Sequence, residues 1–299
     1  MSDIYDLLII GGGSAGLTAA IYASRAGLRY LMLDKGYPGG QVANTDMVDN
    51  YPGLPGISGI DLAGKLLEHA ENMGMELVMD EVTDLDVGDE IKTVHTLGGE
   101  YRAHNLLLCT GASPRKLGVP GEEAFRGRGV SYCATCDGAF FRGKKTVVIG
   151  GGDTALQDAL YLSAFCESVT LVHRRDAFRG NDQLQKKLPQ HQNIHLEMSS
   201  TALAIEGTDR VSGVRLSTPS GEKLIPADGV FIAVGTIPNS ALLRGKADTN
   251  EGGYVITDQY RRTSIQGVYA AGDVRDTVLR QILTAAADGA IAVQSMLEL

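Results

Sequence analysis

The chain has 299 residues and a formal net charge of −9, with 38 Gly, nine Pro, four Cys and no Trp. A 43% hydrophobic content excludes a disordered chain, and so few cysteines exclude a disulfide scaffold. The acidic balance excludes the electrostatic footprint of a nucleic-acid or anionic-membrane binder. Glycine is present at roughly twice its usual share, and the length suits one large or two ordinary domains.

The start, Met1-Ser2-Asp3-Ile4-Tyr5-Asp6, has no basic n-region and leads into an apolar strand. No stretch approaches the roughly 18 uncharged apolar residues of a membrane span. A cytoplasmic location is therefore the expectation.

The strand is Tyr5–Ile10, a continuous apolar run of the kind buried on both faces of a parallel sheet. A glycine turn follows, then a helix to about Ala26 and a second strand at Tyr30–Leu33. The pattern recurs. Residues 10–35 read IGGGSAGLTAAIYASRAGLRYLMLDK and residues 149–174 read IGGGDTALQDALYLSAFCESVTLVHR. Gly11, Gly12, Gly13, Tyr22 and Ser24 match Gly150, Gly151, Gly152, Tyr161 and Ser163. The second copy predicts a strand at Thr146–Ile149, a helix to about Phe165 and a strand at Val169–Val172. Each copy is a β-α-β unit, the core of a doubly wound α/β fold, so two related Rossmann-like domains are expected.

Each turn opens a helix with a dinucleotide fingerprint, Gly11-x-Gly13-x-x-Gly16 and Gly150-x-Gly152-x-x-Ala155. The first glycine permits the tight turn and the second lets backbone approach a pyrophosphate. The third position packs helix on strand. The free N–H groups of the helix start then face the phosphates. One fingerprint is weak evidence. Two in register, each between a strand and a helix, are strong.

The copies differ at the ribose-reading end of the second strand. Copy one has Asp34, a carboxylate that accepts from ribose hydroxyls and repels a 2′-phosphate, which suits FAD or NAD(H). Copy two has His173, Arg174, Arg175 and Arg179. Guanidinium forks suit a phosphate dianion, so this copy predicts NADPH. The bland alternative is a solvated basic patch.

Before the second fingerprint lies Cys133-Ala134-Thr135-Cys136-Asp137. No second C-x-x-C and no matching histidine pair accompany it, so a structural zinc site lacks ligands and no metal is expected. Beside nucleotide-binding units the spacing reads as redox-active, and it allows both sulfurs to lie in one turn and close a small disulfide. A helix start there would favour the thiolate. Asp137 is a candidate proton donor and acceptor, or merely a carboxylate of a helix N-terminus. Cys109 and Cys166 each stand in an apolar segment and read as small core residues.

Taken together, these motifs resemble the low-molecular-weight thioredoxin reductases, NADPH-dependent members of the class II pyridine nucleotide-disulfide oxidoreductases. The resemblance spans nearly the whole chain. It rests on both fingerprints, Gly39-Gly40-Gln41, Asp49–Gly53, Thr110-Gly111-Ala112, Cys133–Asp137, His173-Arg174-Arg175 with Arg179, Ala271-Gly272-Asp273 and Arg280-Gln281. It implies an NADPH domain inserted into an FAD domain, with Pro-containing linkers at Ser113–Pro120 and Gly235–Asn239. The expected boundaries are 1–113 with 246–299 for FAD and 114–245 for NADPH and the dithiol.

By the same resemblance, FAD would meet Gly11, Gly13, Ser14, Ala15, Asp34, Gly40, Gln41, Asn50, Val82, Gly111, Gly272, Asp273, Arg280, Gln281 and Ile282. NADPH would meet Gly152, Asp153, Thr154, His173, Arg174, Arg175 and Arg179. Cys136 would face the flavin as the charge-transfer thiolate. Cys133 would attack the disulfide of thioredoxin, and Asp137 would handle protons. The family is homodimeric. Nicotinamide and dithiol would share one domain, so the expectation is a domain rotation between two poses. The departures are Ser14 where Pro is common and Gln157-Asp158 where two acids are frequent.

Four rival readings share parts of the pattern. The flavoprotein that reduces an alkyl hydroperoxide peroxidase carries an N-terminal thioredoxin-like extension, whereas this chain begins at its first Rossmann strand. A dithiol oxidase and a ferredoxin-dependent relative need no NADPH site, and a nucleotide-sensing module leaves Cys133 and Cys136 idle.

Overall fold

The computed structural model describes residues 4–45, 47–88 and 90–297. It divides into two compact units, Met1–Ser113 with Ile237–Leu299 and Pro114–Thr236. Residues 237–245 are bound into the first unit. Asn239 exchanges hydrogen bonds with Thr110, accepting through its carbonyl from Thr110 Oγ1 at 2.7 Å and donating from Nδ2 to Thr110 O at 2.8 Å. Leu243 is fully buried in the first unit's core.

In chain order the first unit begins with β1 (Ile4–Ile10), α1 (Ser14–Arg25), β2 (Tyr30–Asp34), α2 (Gly59–Asn72), β3 (Leu77–Met79), β4 (Val82–Asp86), β5 (Lys92–Thr96) and β6 (Glu100–Leu108). The chain leaves along β7 (Ala112–Pro114). The second unit contains β8 (Val130–Ser131), α3 (Ala134–Asp137), β9 (Lys145–Gly150), α4 (Asp153–Ser163), β10 (Ser168–Val172), α5 (Asp182–Gln185) and β11 (Ile194–Glu197). It continues with β12 (Thr201–Gly207), β13 (Val211–Thr218), β14 (Gly221–Pro226) and β15 (Gly229–Ala233). The return runs along β16 (Thr236–Pro238) to β17 (Val268–Ala270) and α6 (Ile282–Leu297).

The first unit's sheet has the order β3-β2-β1-β6-β5-β4, with β17 also on β6. Strands β3, β2, β1, β6 and β17 are parallel, while β4 and β5 run antiparallel. Helices α1, α2 and α6 cover one sheet face and residues such as Leu85, Leu243, Val255 and Val274 cover the other, so Leu7, Leu8 and Ile9 are fully buried in succession rather than alternately. Each such side chain contributes about 1.5–3 kcal/mol. Helices α1 and α6 pack with backbone nearly touching: a Cβ on Gly289 would lie 2.1 Å from the Ala15 carbonyl oxygen.

The second unit repeats the plan with a five-stranded sheet, β11-β10-β9-β15-β8, all parallel, beside the antiparallel β12-β13-β14. Strand β9 buries Thr146 through Gly150, and α4 buries Ala155, Leu156, Ala159 and Leu162 against it.

On β5, His95 lies between two carboxylates, Asp86 at 2.8 Å and Glu100 at 3.0 Å. The hydrogen bond that its ring N–H donates to Asp86 raises its pKa above the ordinary imidazole value. A folded pKa above the unfolded one means the pair stabilises below the unfolded value, about 6.5, and that this is lost as pH rises through the folded value. The thermal midpoint of wild type should therefore fall slightly between pH 6 and 8 relative to His95→Gln. The difference should shrink at high salt, since the carboxylates are exposed. Parallel midpoint curves for the two proteins would contradict it.

Candidate active site

In the first unit the fingerprint turn sits at the carboxyl ends of the parallel strands. Gly11 has φ +107°, and a Cβ there would lie 2.5 Å from the Cys109 carbonyl oxygen. Gly16 allows the closest helix–strand approach, since its Cβ would come within 1.9 Å of Gly11 O. Gly13 precedes α1 as its N-cap, and no side chain caps the helix. The amides of Ser14 and Ala15 therefore open the helix without a side-chain partner, as an anion site requires.

Three other segments close on this turn. Gly39 N donates to Gly12 O at 2.8 Å, and a Cβ on Gly40 would lie 3.1 Å from Gly13 Cα. Gln41 Nε2 donates to the Ala112 carbonyl, next to Gly111. A Cβ on Gly272 would lie 3.2 Å from the Ala15 Cβ. Asp34, at the end of β2, accepts from Gly12 N at 2.5 Å and Gly36 N at 2.9 Å, so its carboxylate is locked beside the turn. Asn50 Nδ2 donates to Gln281 Oε1 at 2.8 Å, and Ile282 packs on the small cluster around Val42. Val82 begins β4, two residues after Asp80, whose N–H donates to Asp34 O at 2.8 Å.

Among the described residues of this unit three buried polar atoms have no hydrogen-bond partner, Ser14 Oγ, Arg262 Nε and Arg280 Nε. The Arg280 guanidinium also lies 4.0 Å above the Tyr254 ring. Burial raises the pKa of the Asp273 carboxyl. Unpartnered polar groups and bare glycine backbone around one helix start fit a dinucleotide with hydroxyl and phosphate groups.

The sequence reading missed Asp288. It is buried in α6, accepting from Arg261 Nε at 2.7 Å, Arg275 Nη1 at 3.0 Å and the Gly272 amide at 3.0 Å. The available signal was a lone carboxylate in an apolar helix, Ala285-Ala286-Ala287-Asp288-Gly289-Ala290, since such residues are seldom buried without partners.

In the second unit Cys133 and Cys136 form a disulfide, with Cα atoms 5.3 Å apart. Helix α3 has only four residues, so the dipole expected from a helix start is replaced by one local donor, the Cys136 amide, 3.2 Å from Cys133 Sγ. Ser131 was also missed. Its buried hydroxyl donates to Asp137 Oδ2 at 2.5 Å and accepts from the Cys133 amide at 3.1 Å, joining the cysteine turn to the carboxylate. Glu122, 2% exposed, accepts from Tyr132 Oη at 2.7 Å and from the Leu117 and Gly118 amides. Among the described residues no group of three or more His, Cys, Asp or Glu could hold a metal ion. Cys109 and Cys166 are free and buried, and burial raises both thiol pKa values.

Gly152 is the N-cap of α4, and Asp153 and Thr154 are exposed in its first turn. Arg174, Arg175 and Arg179 are all exposed on the loop after β10. His173 differs from them. It is 5% exposed, stacked on Phe178 at 5.5 Å, and a Cβ on Gly151 would lie 2.1 Å from its Nδ1. Desolvation lowers its pKa, favouring the neutral ring. The structure thus separates His173 from the arginines with which the sequence grouped it: three cations face solvent and the imidazole lies behind the glycine turn.

Two dinucleotide-type turns and a disulfide-bonded C-x-x-C define a nucleotide-dependent disulfide oxidoreductase. The profile described as pyridine nucleotide-disulphide oxidoreductase matches residues 5–289, and the chain belongs to that family. Among its relatives, the thioredoxin reductase of Bacillus subtilis is 45% identical over 296 residues, covering 98% of this chain and 94% of that one. The thioredoxin reductase of Listeria monocytogenes is 45% identical over 295 residues, covering 98% and 92%. The crystal structure of thioredoxin reductase from Streptococcus pyogenes superposes with a TM-score of 0.93 at 43% identity, covering 100% of this chain and 98% of that one. The Giardia duodenalis enzyme gives 0.92 at 33%, covering both chains fully.

Proposed function

We infer that this protein is a thioredoxin reductase that uses FAD in the first unit and NADPH in the second. The observation that carries the reading is the Cys133–Cys136 disulfide beside Asp137 in the same unit as the exposed arginine loop. That arrangement needs both a reductant and a disulfide acceptor. The likeness to enzymes named for thioredoxin supports that acceptor.

FAD, when bound, accepts a hydride from NADPH and passes two electrons onward. Gly11, Gly13, Ser14 and Ala15 would hold its pyrophosphate and Asp34 its ribose, with Gly40, Gln41, Asn50, Gly111, Gly272, Asp273, Arg280, Gln281 and Ile282 around it and Val82 further out. Gly152 and Thr154 would meet the NADPH pyrophosphate, and Arg174, Arg175 and Arg179 its 2′-phosphate.

Two electrons break the Cys133–Cys136 bond, and Asp137, held by Ser131, supplies or accepts the accompanying proton. The Cys133 thiolate then attacks one sulfur of the thioredoxin disulfide, whose S–S bond breaks. Cys136 attacks Cys133 in turn, re-forming the disulfide and releasing thioredoxin dithiol. Dithiol and NADPH loop belong to one unit and the flavin to the other, so turnover would require that unit to present each group in turn. A cytoplasmic homodimer is the proposed assembly. Free buried cysteines fit a reducing compartment, and the family likeness supports the dimer. No helix among the described residues is long and apolar enough to cross a membrane, and the net charge of −9 argues against nucleic acid.

The test is NADPH oxidation by FAD-loaded protein with and without oxidised thioredoxin. Thioredoxin-dependent oxidation is expected. Oxygen consumption without thioredoxin would favour an oxidase, and activity only with reduced ferredoxin would favour that donor. Joint replacement of Arg174, Arg175 and Arg179 by Ala should raise KM for NADPH about 100-fold, as expected for losing charge-assisted phosphate contacts, and leave FAD content unchanged. Equal use of NADPH and NADH by wild type would refute the role given to the arginines.

A further inference from the structure

The loop that carries the three arginines is tied to the second glycine turn at both ends. At its start the His173 ring fills the space over Gly151 and stacks on Phe178. Near its end the amides of Arg179 and Gly180 both donate to the Gly151 carbonyl, at 2.8 and 3.1 Å. At its end the Asn181 amide donates to Asp153 Oδ1 at 2.6 Å. Gly180 is buried at the crossing, and a Cβ there would lie 3.1 Å from the Asp153 amide nitrogen. The arginine side chains stay exposed, but the backbone from which they project is fixed to the turn that would hold the pyrophosphate. Of these ties only two depend on side chains, those of His173 and Asp153.

We propose that Asp153 and His173 are positioning residues for coenzyme choice. They clamp the arginine loop to the pyrophosphate turn and so fix the distance between the two phosphate subsites, rather than contacting the dinucleotide through their own side chains. The proposal rests on the reading that Arg174, Arg175 and Arg179 bind a 2′-phosphate.

The physical reason is preorganisation. Long cationic side chains on a loose loop lose conformational freedom when they close on a dianion, and that loss is subtracted from affinity. A loop already fixed at its backbone loses less. The clamp therefore acts on ligands that carry the 2′-phosphate and is silent for those that lack it. A general structural role for Asp153 would weaken both kinds of ligand alike. An electrostatic role would do the opposite of the clamp, since removing an exposed carboxylate near a phosphate site should tighten phosphate binding.

The experiment uses the FAD-loaded full chain and calorimetric titration with two probes, adenosine 2′,5′-bisphosphate and adenosine 5′-monophosphate. Asp153→Ala removes the acceptor for the Asn181 amide. It should weaken the bisphosphate about fivefold or more and change the monophosphate less than twofold. Asp153→Asn keeps an acceptor oxygen and should restore bisphosphate binding to within twofold of wild type. His173→Ala opens the space over Gly151 and should weaken the bisphosphate selectively as well. Equal weakening of both probes, or unchanged or tighter bisphosphate binding in Asp153→Ala, would overturn the proposal.

The joint Arg174, Arg175 and Arg179 replacement is the control. If it leaves the bisphosphate-to-monophosphate preference intact, the phosphate reading itself fails. If it abolishes the preference while Asp153→Ala does not, only the clamp fails. Melting curves and FAD content of each variant identify a folding defect. If Asp153→Ala does not fold, His173→Ala with Asp153→Asn carries the same comparison.

Discussion

Cys136→Ser is expected to lower thioredoxin-dependent NADPH oxidation by a factor on the order of 10⁴ or more, the scale seen when a covalent catalytic group is removed. The dithiol carries two electrons only as a pair. With one sulfur gone, the Cys133–Cys136 bond cannot form or break, and a serine hydroxyl does not resolve a mixed disulfide. The glycine turns and the arginine loop are untouched, so NADPH should still bleach the flavin absorbance at a rate near that of wild type. The remaining Cys133 keeps the Cys136-position amide as a local donor, so it should still attack oxidised thioredoxin if pre-reduced and accumulate as a covalent adduct. Stopped-flow absorbance and non-reducing gels measure the two effects separately. Retention of more than a few per cent of turnover would show that another group carries the electrons.

Asp288→Ala is expected to destabilise the first unit by about 3–5 kcal/mol, the usual cost of removing one partner from a buried ion cluster. The carboxylate is 7% exposed and faces Arg261 and Arg275, which are 15% and 12% exposed. Alanine would leave two guanidiniums in a low-dielectric site without their counter-charge. Arg261 also holds a left-handed backbone conformation, φ +68°, which its bond to Asp288 helps to fix. The Gly272 amide would lose its acceptor too, and Gly272 backs onto Ala15 in the fingerprint helix. Loss of stability should therefore come with loss of FAD. The expected fall in thermal midpoint is on the order of 10 °C, and Asp288→Asn, which keeps the shape and one acceptor, should fall less. A midpoint within about 2 °C of wild type for the alanine variant would count against the cluster's role.

Much of the scaffold was legible because its signals are local. The runs at Tyr5–Ile10 and Thr146–Ile149 lie within the observed strands Ile4–Ile10 and Lys145–Gly150. The excess of glycine has a physical reading at Gly11, Gly16, Gly39, Gly40 and Gly272, where turns are left-handed or backbones nearly touch. Fixed spacing also brought out Cys133 and Cys136, because the chemistry requires neighbours in sequence.

Less legible was anything that depends on packing direction. His173 lies next to Arg174 in sequence, just past the end of β10, yet the His173 ring packs against Gly151 while Arg174 is exposed. No composition shift marks residue 237, where the chain re-enters the first unit and Asn239 bonds to Thr110.

The sequence by itself determined two nucleotide-binding β-α-β units, their difference in ribose-end charge, and a redox pair in the second of them. Each follows from residue types at short, fixed separations. Only the tertiary structure revealed the Asp288 cluster, the Ser131 bridge between Cys133 and Asp137, and the clamp of Asp153 on the arginine loop. Asp288 meets Gly272, and Asp153 meets Asn181, only after the chain has folded back. Ser131 and Asp137 are close in sequence, but their hydrogen bond depends on a turn whose direction the surrounding sheet sets. Periodicity and spacing carry no information about such contacts, because which side chain fills a given space depends on every element packed around it.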